Sequence, residues 1–353
     1  MVRLRRSSPD RPGWTRRRRG KGWSYLDEQG RPISDREVLE RVKGLVIPPA
    51  WTDVWICPDP RGHLQAVGTD AAGRRQYLYH PQWRENRDRQ KHARVVAVAR
   101  RLPAAREAVA REVAGQGLTR QRVLACAFRL LDLGFFRNGG EDYAAENGTF
   151  GLSTLRREHV TVHRNGGLTF TYLAKHGLER SITLHDPQVY AVVAQLARRR
   201  RPGEELLGYL DDSGSWRDIT TTDVNEYVKS HLGDASAKDF RTWHATVLAA
   251  MALAVSTPTI SSPNARKRAV TRAMKEVSTY LGNTATVAKA SYVDPRVVDL
   301  FHDGRTIEPA LRDIGEGAPD DAPGTQGAVE DAVLELLTGE RPAPAERLSR
   351  PSP

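Results

Sequence analysis

The chain has 353 residues, 39% of them hydrophobic, and its 54 Lys and Arg against 43 Asp and Glu give a net charge of +11. This length suffices for two packed domains. The longest purely apolar run, residues 247–255, is too short to span a membrane, and residues 1–22 lack the apolar segment of a secretory signal. Two cysteines, Cys57 and Cys126, exclude a disulfide scaffold and a zinc–cysteine cluster, and predict a cytoplasmic protein.

The positive charge lies ahead of residue 303. Residues 303–353 hold 5 basic and 11 acidic side chains, which leaves +17 on residues 1–302. Such a charge favours a polyanion as partner, because Lys and Arg release condensed counterions from nucleic acid. For residues 1–22, which hold nine Lys and Arg, a solvated basic tail is the alternative interpretation.

Four segments follow one another along the chain. Residues 1–22 have no apolar periodicity and are predicted to be a basic, disordered tail. Residues 23–88 contain short strand-like runs separated by turns, with one helix near 35–43, and predict a β-rich N-terminal domain. Residues 89–302 are mainly helical. Residues 303–353 are predicted to be an acidic tail rich in Pro, Gly and Ala, with one weak helical patch at 329–337.

Within residues 89–302, apolar spacing predicts helices over 89–114 with a break at Leu102-Pro103, and over 118–136, 186–200, 221–232, 241–255 and 264–281. Three short strands interrupt them, at residues 159–163, 168–172 and 180–184. The sequence therefore predicts an α+β protein with a small β-rich N-terminal domain and a larger, mainly helical domain that contains a three-stranded β island.

Several familiar chemical motifs are absent. The sequence has no phosphate-binding G-x-x-x-x-G-K-[ST] loop, no H-E-x-x-H pair and no G-x-S-x-G turn. We therefore expect no nucleotide cofactor and no metal. If the chain acts on nucleic acid, side-chain cations and a side-chain nucleophile must supply the chemistry.

Two cations are candidates for that chemistry. Arg137 follows an apolar helix and precedes Gly139 and Gly140, so that backbone and guanidinium could both approach a phosphate; an exposed arginine at a helix end is the alternative. Lys175 is the only lysine between Lys91 and Lys229. A lysine can give up a proton where an arginine cannot, which suits a general acid, although a solvated hairpin lysine would look the same.

Two more stretches contain candidate residues for the same chemistry. Lys238 and Arg241 stand where a charged helix start is the ordinary interpretation. Asn283 follows Leu281-Gly282, and Tyr292, the last tyrosine, lies nine residues later. Taken alone, Tyr292 would be a half-buried aromatic in a helical turn.

In this order, Arg137, Lys175, Lys238-x-x-Arg241, Leu281-Gly282-Asn283 and Tyr292 resemble the active-site series of type IB DNA topoisomerases, above all the compact poxvirus-type enzymes and their bacterial relatives. Residues 46–51, 74–79 and the run from 137 to 155 also resemble this family. The resemblance covers residues 23–302 and neither tail.

The resemblance implies that two domains clamp double-stranded DNA. Tyr292 would attack a phosphodiester to form a 3′-phosphotyrosyl link, supercoils would relax by rotation, and the released 5′-hydroxyl would reseal the strand without ATP or metal. Arg137 and Arg241 would hold the phosphate oxygens, and Lys175, assisted by Lys238, would protonate the leaving oxygen. A monomer associated with the nucleoid is the family expectation.

The resemblance also implies that the N-terminal domain, residues 23–88, binds DNA. A predicted strand would carry Tyr77 and Tyr79 on one face into the major groove. The implied DNA-contacting residues are Arg74, Arg75, Gln76, Tyr77, Tyr79, Tyr143 and Lys289. Tyrosines packed in the core of the small domain are the alternative for Tyr77 and Tyr79.

Asn283 departs from the family pattern, because poxvirus-type relatives have a histidine at this position. An asparagine amide can still donate a hydrogen bond to a phosphate oxygen, without positive charge. Activity is therefore expected to survive at a lower rate. A cap on the preceding helix is the alternative role.

Two other functions remain open at this point. Tyrosine recombinases and integrases share the Arg, Lys, Arg, Tyr constellation, but usually have His-x-x-Arg where this chain has Lys238-x-x-Arg241. A DNA-binding protein of the nucleoid without enzymatic activity would explain the charge, but not the ordered motif series.

Overall fold

The computed structural model describes residues 3–199, 205–256, 262–315 and 326–340. The chain divides into two compact units, with the boundary between Lys91 and His92. The sequence-based boundary at residue 88 lies three residues earlier. Helix α2 (Pro81–Val113) starts in the first unit and ends in the second.

An antiparallel sheet with strand order β2-β1-β3-β4-β5 forms most of the first unit. Its elements in chain order are β1 (Trp14–Arg19), β2 (Gly22–Leu26), α1 (Arg36–Gly44), β3 (Thr52–Ile56), β4 (Leu64–Thr69) and β5 (Arg75–Tyr79). Asp35 caps α1 through its side chain, which accepts from the backbone of Glu37 and Val38. A small core joins α1 to the sheet through Val42, Ile56 and Ala66.

Strand β1 differs from the prediction that residues 1–22 are disordered. It pairs with β2 and β3 although four of its six residues are arginines. Arg16 donates to the carbonyls of Ile47, Pro48 and Trp51, at 3.1, 2.6 and 2.7 Å, and lies over the Trp23 ring. Composition alone suggested a solvated tail because it cannot show that carbonyls and an aromatic ring satisfy these cations.

The second unit is mainly helical, and its largest sheet has three antiparallel strands in the order β6-β7-β8. Its elements after α2 are α3 (Arg120–Gly134), α4 (Glu141–Asn147), β6 (Val160–Val162), β7 (Gly167–Ala174), β8 (Leu178–His185), α5 (Pro187–Ala197), β9 (Gly208–Leu210), β10 (Trp216–Asp218), α6 (Thr221–Leu232), α7 (Ala237–Ser256), α8 (Pro263–Leu281), α9 (Ala285–Ser291), α10 (Pro295–His302), α11 (Glu308–Gly315) and α12 (Ala328–Thr338). The predicted α+β class is confirmed, as is the three-stranded β island.

Helix α2 differs from prediction because it continues through Pro103. A proline inside a helix removes one hydrogen bond and clashes with the preceding turn. Val98, Leu102, Ala105 and Val109 are all buried on one side of this helix. Burial on both sides of the proline therefore outweighs the local cost.

Residues 303–353 were predicted to be a tail, and the structure differs for the part it describes. Helix α12 buries Val333 and Leu334. Glu330 accepts from Trp243 Nε1 at 2.7 Å and from Arg106 Nη1 at 2.5 Å. The helical patch predicted at 329–337 is thus present as α12. Its packing was missed, because one of its carboxylates is an ion-pair partner in the interior and not a solvated charge.

Candidate active site

A cavity of about 680 Å³ lies in the second unit. It is lined by the six side chains that the sequence predicts to be catalytic: Arg137, Lys175, Lys238, Arg241, Asn283 and Tyr292. They come from separate elements, so tertiary folding and not sequence proximity brings them together.

The loop after α3 carries Arg137. Phe135 ends α3 with a left-handed backbone conformation, φ 54°, and turns the chain out of the helix. The carbonyls of Arg137 and Asn138 then accept from the backbone of Leu152 and Ser153, at 2.7 and 2.8 Å. A Cβ on Gly151 would lie 2.4 Å from the Cα of Gly139, so two glycines are needed for this close approach.

Helix α7 carries both Lys238 and Arg241. It begins at Ala237, four residues before the predicted start, and Asp239 fixes its first turn by accepting from Ser236 N at 2.8 Å. Residues three apart in a helix lie on one side. The early start therefore directs Lys238 and Arg241 to the same cavity.

The C-terminal end of α8 is bound by three arginines. Carbonyls at a helix end lack their usual partners within the helix, and four consecutive ones here accept from guanidinium groups, although Thr279 O also accepts from Gly282 N. The contacts are Arg180 Nη1 to Thr279 O (3.1 Å), Arg180 Nη2 to Tyr280 O (2.7 Å), Arg241 Nη2 to Leu281 O (2.7 Å) and Arg137 Nη2 to Gly282 O (3.0 Å). Cations are stabilised there by the negative end of the helix dipole.

Asn283 follows directly. Gly282 ends α8 in the left-handed conformation, φ 60°, and the Asn283 backbone N–H donates to Ser278 O at 3.1 Å. Both side-chain polar atoms of Asn283 are buried without a hydrogen-bond partner among the described residues. A buried amide without partners is costly. Its side chain does not cap α8, so the alternative interpretation from sequence receives no support.

Tyr292 lies at the end of α9, and the backbone two residues later is held by Asp294 N, which donates to the Thr246 hydroxyl at 3.1 Å. The guanidinium carbon of Arg241 lies 5.3 Å from the centre of its ring. Burial alone would raise the pKa of the phenol. The charges of Arg241, Arg137 and Lys238 outweigh burial, and the pKa of Tyr292 falls below its usual value.

Arg241 is 3% exposed and donates to the carbonyls of Phe135 and Leu281. Burial, with the like charge of Arg137, lowers its pKa to about 10, which leaves it charged at neutral pH. Among the described residues that line the cavity there are four cations and no carboxylate. The cavity is therefore suited to an anion.

Lys175 occupies the turn between β7 and β8 and is exposed on the cavity side. Phe150 N donates to Leu173 O at 2.7 Å and ties β7 near this turn to the preceding loop. Lys238 is also exposed. Both lysines can thus reach a ligand without first breaking an ion pair that the described residues record.

The other predicted DNA-contacting residues lie elsewhere. On β5 of the first unit, Arg75, Tyr77 and Tyr79 share the exposed face. Tyr77 and Tyr79 are 45% and 37% exposed, with stacked rings 6.2 Å apart, which excludes the alternative of two core tyrosines. Lys289, in the last turn of α9, is exposed and does not line the cavity. Tyr143 is in α4, and its side chain lies outside the described residues.

The sequence analysis did not identify two residues that contact the predicted sites. Asp70 accepts from Arg74 Nε at 3.1 Å and from Gln76 Nε2 at 2.8 Å, so two predicted DNA-contacting side chains share one carboxylate. The other residue is Arg180. It was missed because the alternation of side chains along a strand does not indicate that Arg180 binds the end of α8. Turn composition around residues 70–74 could have indicated Asp70, because Asp often accepts from the backbone two residues on.

No helix of the described residues combines the length and the apolar character needed to cross a bilayer. Two family models match the chain. "Eukaryotic DNA topoisomerase I, catalytic core" matches residues 80–302, and "Bacterial DNA topoisomerase IB, N-terminal domain" matches residues 22–70.

Individual relatives agree with these matches. DNA topoisomerase 1B of Acanthamoeba polyphaga mimivirus is 28% identical over 284 residues, which cover 78% of this chain and 83% of the relative. DNA topoisomerase 1B of Vaccinia virus (strain Copenhagen) is 24% identical over 290 residues, or 78% and 86%. DNA topoisomerase 1 of Daucus carota is 28% identical over 130 residues, which cover 36% and 15%.

These matches favour neither a recombinase nor a non-enzymatic nucleoid protein. The catalytic-core match alone covers more than half of the chain. The chain therefore belongs to the type IB DNA topoisomerases, enzymes that relax supercoiled DNA.

Proposed function

We propose that Tyr292 is the nucleophile with which this topoisomerase cuts one DNA strand. The convergence of six predicted side chains on one cavity carries the proposal. The phenol oxygen of Tyr292 attacks a backbone phosphorus, and the bond to the 5′ oxygen breaks. A 3′-phosphotyrosyl link and a free 5′-hydroxyl result. Attack by that hydroxyl reverses the reaction after the nicked duplex has rotated.

The local electrostatics support this role for Tyr292. A free phenol has a pKa of about 10 and is a weak nucleophile at neutral pH. The neighbouring cations lower that pKa, so a larger fraction of Tyr292 is phenolate. Because one phosphodiester replaces another, the reaction is close to balanced in free energy, which is consistent with a sequence without an ATP-binding loop.

Arg137, Arg241 and Asn283 bind the non-bridging oxygens as negative charge gathers on them. Charge-assisted bonds from a guanidinium are about twice as strong as neutral ones. The carbonyls at the end of α8 hold both arginines before DNA binds, so little reorganisation is needed. The unpartnered amide of Asn283 supplies a third, neutral donor.

Lys175 donates the proton that the leaving 5′ oxygen requires, and Lys238 assists this transfer. Positioned acids of this kind contribute about 10²–10⁴-fold to a rate. Both side chains line the cavity, Lys175 from a hairpin turn and Lys238 from a helix. Either can therefore face a phosphodiester held by the arginines.

The exposed face of β5 enters the major groove, with Tyr77 and Tyr79 at base edges, and Arg74 and Arg75 bind nearby phosphates. Gln76, on the other face of β5, also contacts DNA. Tyr143 and Lys289 make further backbone contacts. The +17 charge of residues 1–302 supports this assignment.

We further infer that the enzyme acts as a monomer associated with the nucleoid. All six predicted catalytic side chains come from a single chain, which is consistent with a monomer, and the net charge favours continuous association with DNA.

Relaxation of a supercoiled plasmid in a chelator, without ATP, tests the function. Wild-type protein should relax the plasmid and form an adduct that survives denaturant. Tyr292→Phe should bind DNA normally and do neither, whereas Tyr209→Phe, which changes a half-buried tyrosine outside the cavity, should behave as wild type. An adduct at wild-type level in Tyr292→Phe would refute the assignment. Strand exchange between duplexes would instead indicate a recombinase.

A further inference from the structure

We propose that Arg180 is a positioning residue that holds the Lys175 hairpin against the end of α8. This inference rests on the proposed role of Lys175 as general acid. Arg180 belongs to β8, five residues after Lys175, and lies on its inner, half-buried side. Its guanidinium donates to Thr279 O and Tyr280 O, at 3.1 and 2.7 Å.

The contact between Arg180 and α8 joins a helix that is packed into the main core to a hairpin at the edge of a sheet. Helix α8 is long and buries Met274, Val277 and Leu281 in the main core. Strand β8 is an edge strand, and the hairpin turn beside it exposes Leu173 and Leu178. The hairpin is therefore the part that needs to be held, and Arg180 holds it from β8 while Phe150 holds it from β7.

The fit between Arg180 and the turn of α8 is close. A Cβ on Gly282 would lie 2.7 Å from Arg180 Nη1. Burial lowers the pKa of this guanidinium, yet the two carbonyls and the helix dipole compensate for its charge. A planar fork suits two adjacent carbonyls, and a lysine could not reproduce it.

Arg180 also adjoins residues that bind the phosphate in the proposed reaction. It precedes Arg241 and Arg137 in the row of four carbonyls at residues 279–282. One helix end thus serves as a common reference for the phosphate-binding arginines and for the hairpin with the general acid. Loss of Arg180 should displace Lys175 and leave both arginines on their carbonyls.

Leaving-group chemistry can test this inference. The substrate is a duplex with a cleavage site mapped beforehand with wild-type protein, made either with the natural 5′ bridging oxygen or with sulfur in its place. Sulfur leaves without protonation, so a defect in proton donation disappears with the sulfur substrate. Single-turnover cleavage, DNA affinity and melting temperature are measured for Arg180→Ala, Arg180→Lys and Lys175→Ala. Arg164→Ala, which removes one exposed charge at the opposite turn of the same sheet, is the control.

Arg180→Ala should cut the natural substrate on the order of 10²-fold more slowly, the usual effect of a misplacement near 1 Å. It should cut the sulfur substrate close to the wild-type rate and bind DNA normally. Arg180→Lys should show a smaller defect with the same rescue, and gives the answer if Arg180→Ala does not fold. Arg164→Ala should match wild type.

Equal losses on both substrates, or a full rate on the natural one, would overturn the role of Arg180. The variant Lys175→Ala distinguishes a wrong role for Arg180 from a wrong role for Lys175 in the proposed function. If sulfur rescues Lys175→Ala but not Arg180→Ala, Arg180 does not position the acid. If sulfur rescues neither, Lys175 is not the acid.

Discussion

Exposed arginines of the first unit, such as Arg18 and Arg74, are held differently from the arginines around Tyr292. Arg18 lies over the ring of Trp23 at 5.3 Å, and Arg74 is exposed and paired with Asp70 at 3.1 Å. Around Tyr292, Arg241 is buried, and Arg137 and Arg241 donate to carbonyls at the end of one helix. Surface arginines can adjust to DNA, whereas the arginines of the cavity are fixed before DNA arrives.

This difference separates binding from catalysis. An exposed cation gains from phosphate by releasing counterions, and its side chain must be ordered on binding. A cation fixed during folding has already lost that freedom, so more of its interaction can stabilise the transition state. We therefore expect large effects on cleavage rate from the cavity and smaller effects on affinity or site choice from the sheet.

The largest effect is expected for Arg241→Ala. Loss of a fixed, charged donor should slow single-turnover cleavage on the order of 10²–10³-fold. The pH profile should move as well. In the proposed reaction the phenolate of Tyr292 attacks the phosphorus, and Arg241 lowers the pKa of that phenol. Without Arg241 that pKa rises, so the rise of the cleavage rate should shift to higher pH.

Rates measured from neutral to alkaline pH check this prediction, with Arg164→Ala as the control for loss of one charge. An unshifted profile with a reduced rate would mean that Arg241 acts on the phosphate alone. A full rate would remove Arg241 from the site.

Asn283→Ala should slow cleavage on the order of 10²-fold, through loss of one donor to the developing charge. Stability should not fall, because the side-chain amide of Asn283 has no hydrogen-bond partner to lose among the described residues of the free protein. Asn283→His should stay active and gain activity below the histidine pKa of about 6.5, where the ring is charged. Melting temperature and cleavage rate, measured on one preparation, decide the matter. A lower melting temperature with an unchanged rate would indicate a purely structural role.

A more modest effect is expected for Tyr77→Ala. The exposed ring of Tyr77 should contact base edges, and such contacts discriminate between bases by about 1–3 kcal/mol. The pattern of adduct positions along a plasmid should therefore change, while the rate at the best site changes little. Leu78→Ala, on the opposite side of β5, would lower stability instead. An unchanged pattern in folded Tyr77→Ala would exclude base reading by this residue.

Arg74→Ala should have the smallest effect. Because Asp70 already pairs with Arg74, the net gain from a phosphate contact is reduced. Affinity should fall by a similar factor for all sequences, and the salt dependence of binding should lose about one unit of slope. Titrations at several salt concentrations measure both. A change confined to some sequences would instead indicate base reading.

The sequence was most informative where order along the chain carries the signal. The six predicted catalytic side chains of the cavity could be named because their types and order resemble a known family. Strand β1 and the packing of helix α12 could not be predicted, since composition says nothing about whether Arg16 or Glu330 finds a partner in the fold. Arg180 was missed for a related reason: its carbonyl partners lie about a hundred residues further along the chain, beyond the reach of any local pattern.

The ion cluster around Glu330 has a consequence for anyone who shortens this protein. The catalytic-core match ends at residue 302, so a truncated protein designed from that match would end at this residue. A chain cut there would lack the carboxylate that accepts from Trp243, on the helix that also carries Arg241. Arg106 would keep Asp132 but lose its other carboxylate partner. A shortened chain should therefore keep residues 326–340, since the helix that carries Arg241 is supported by a carboxylate beyond the catalytic-core match.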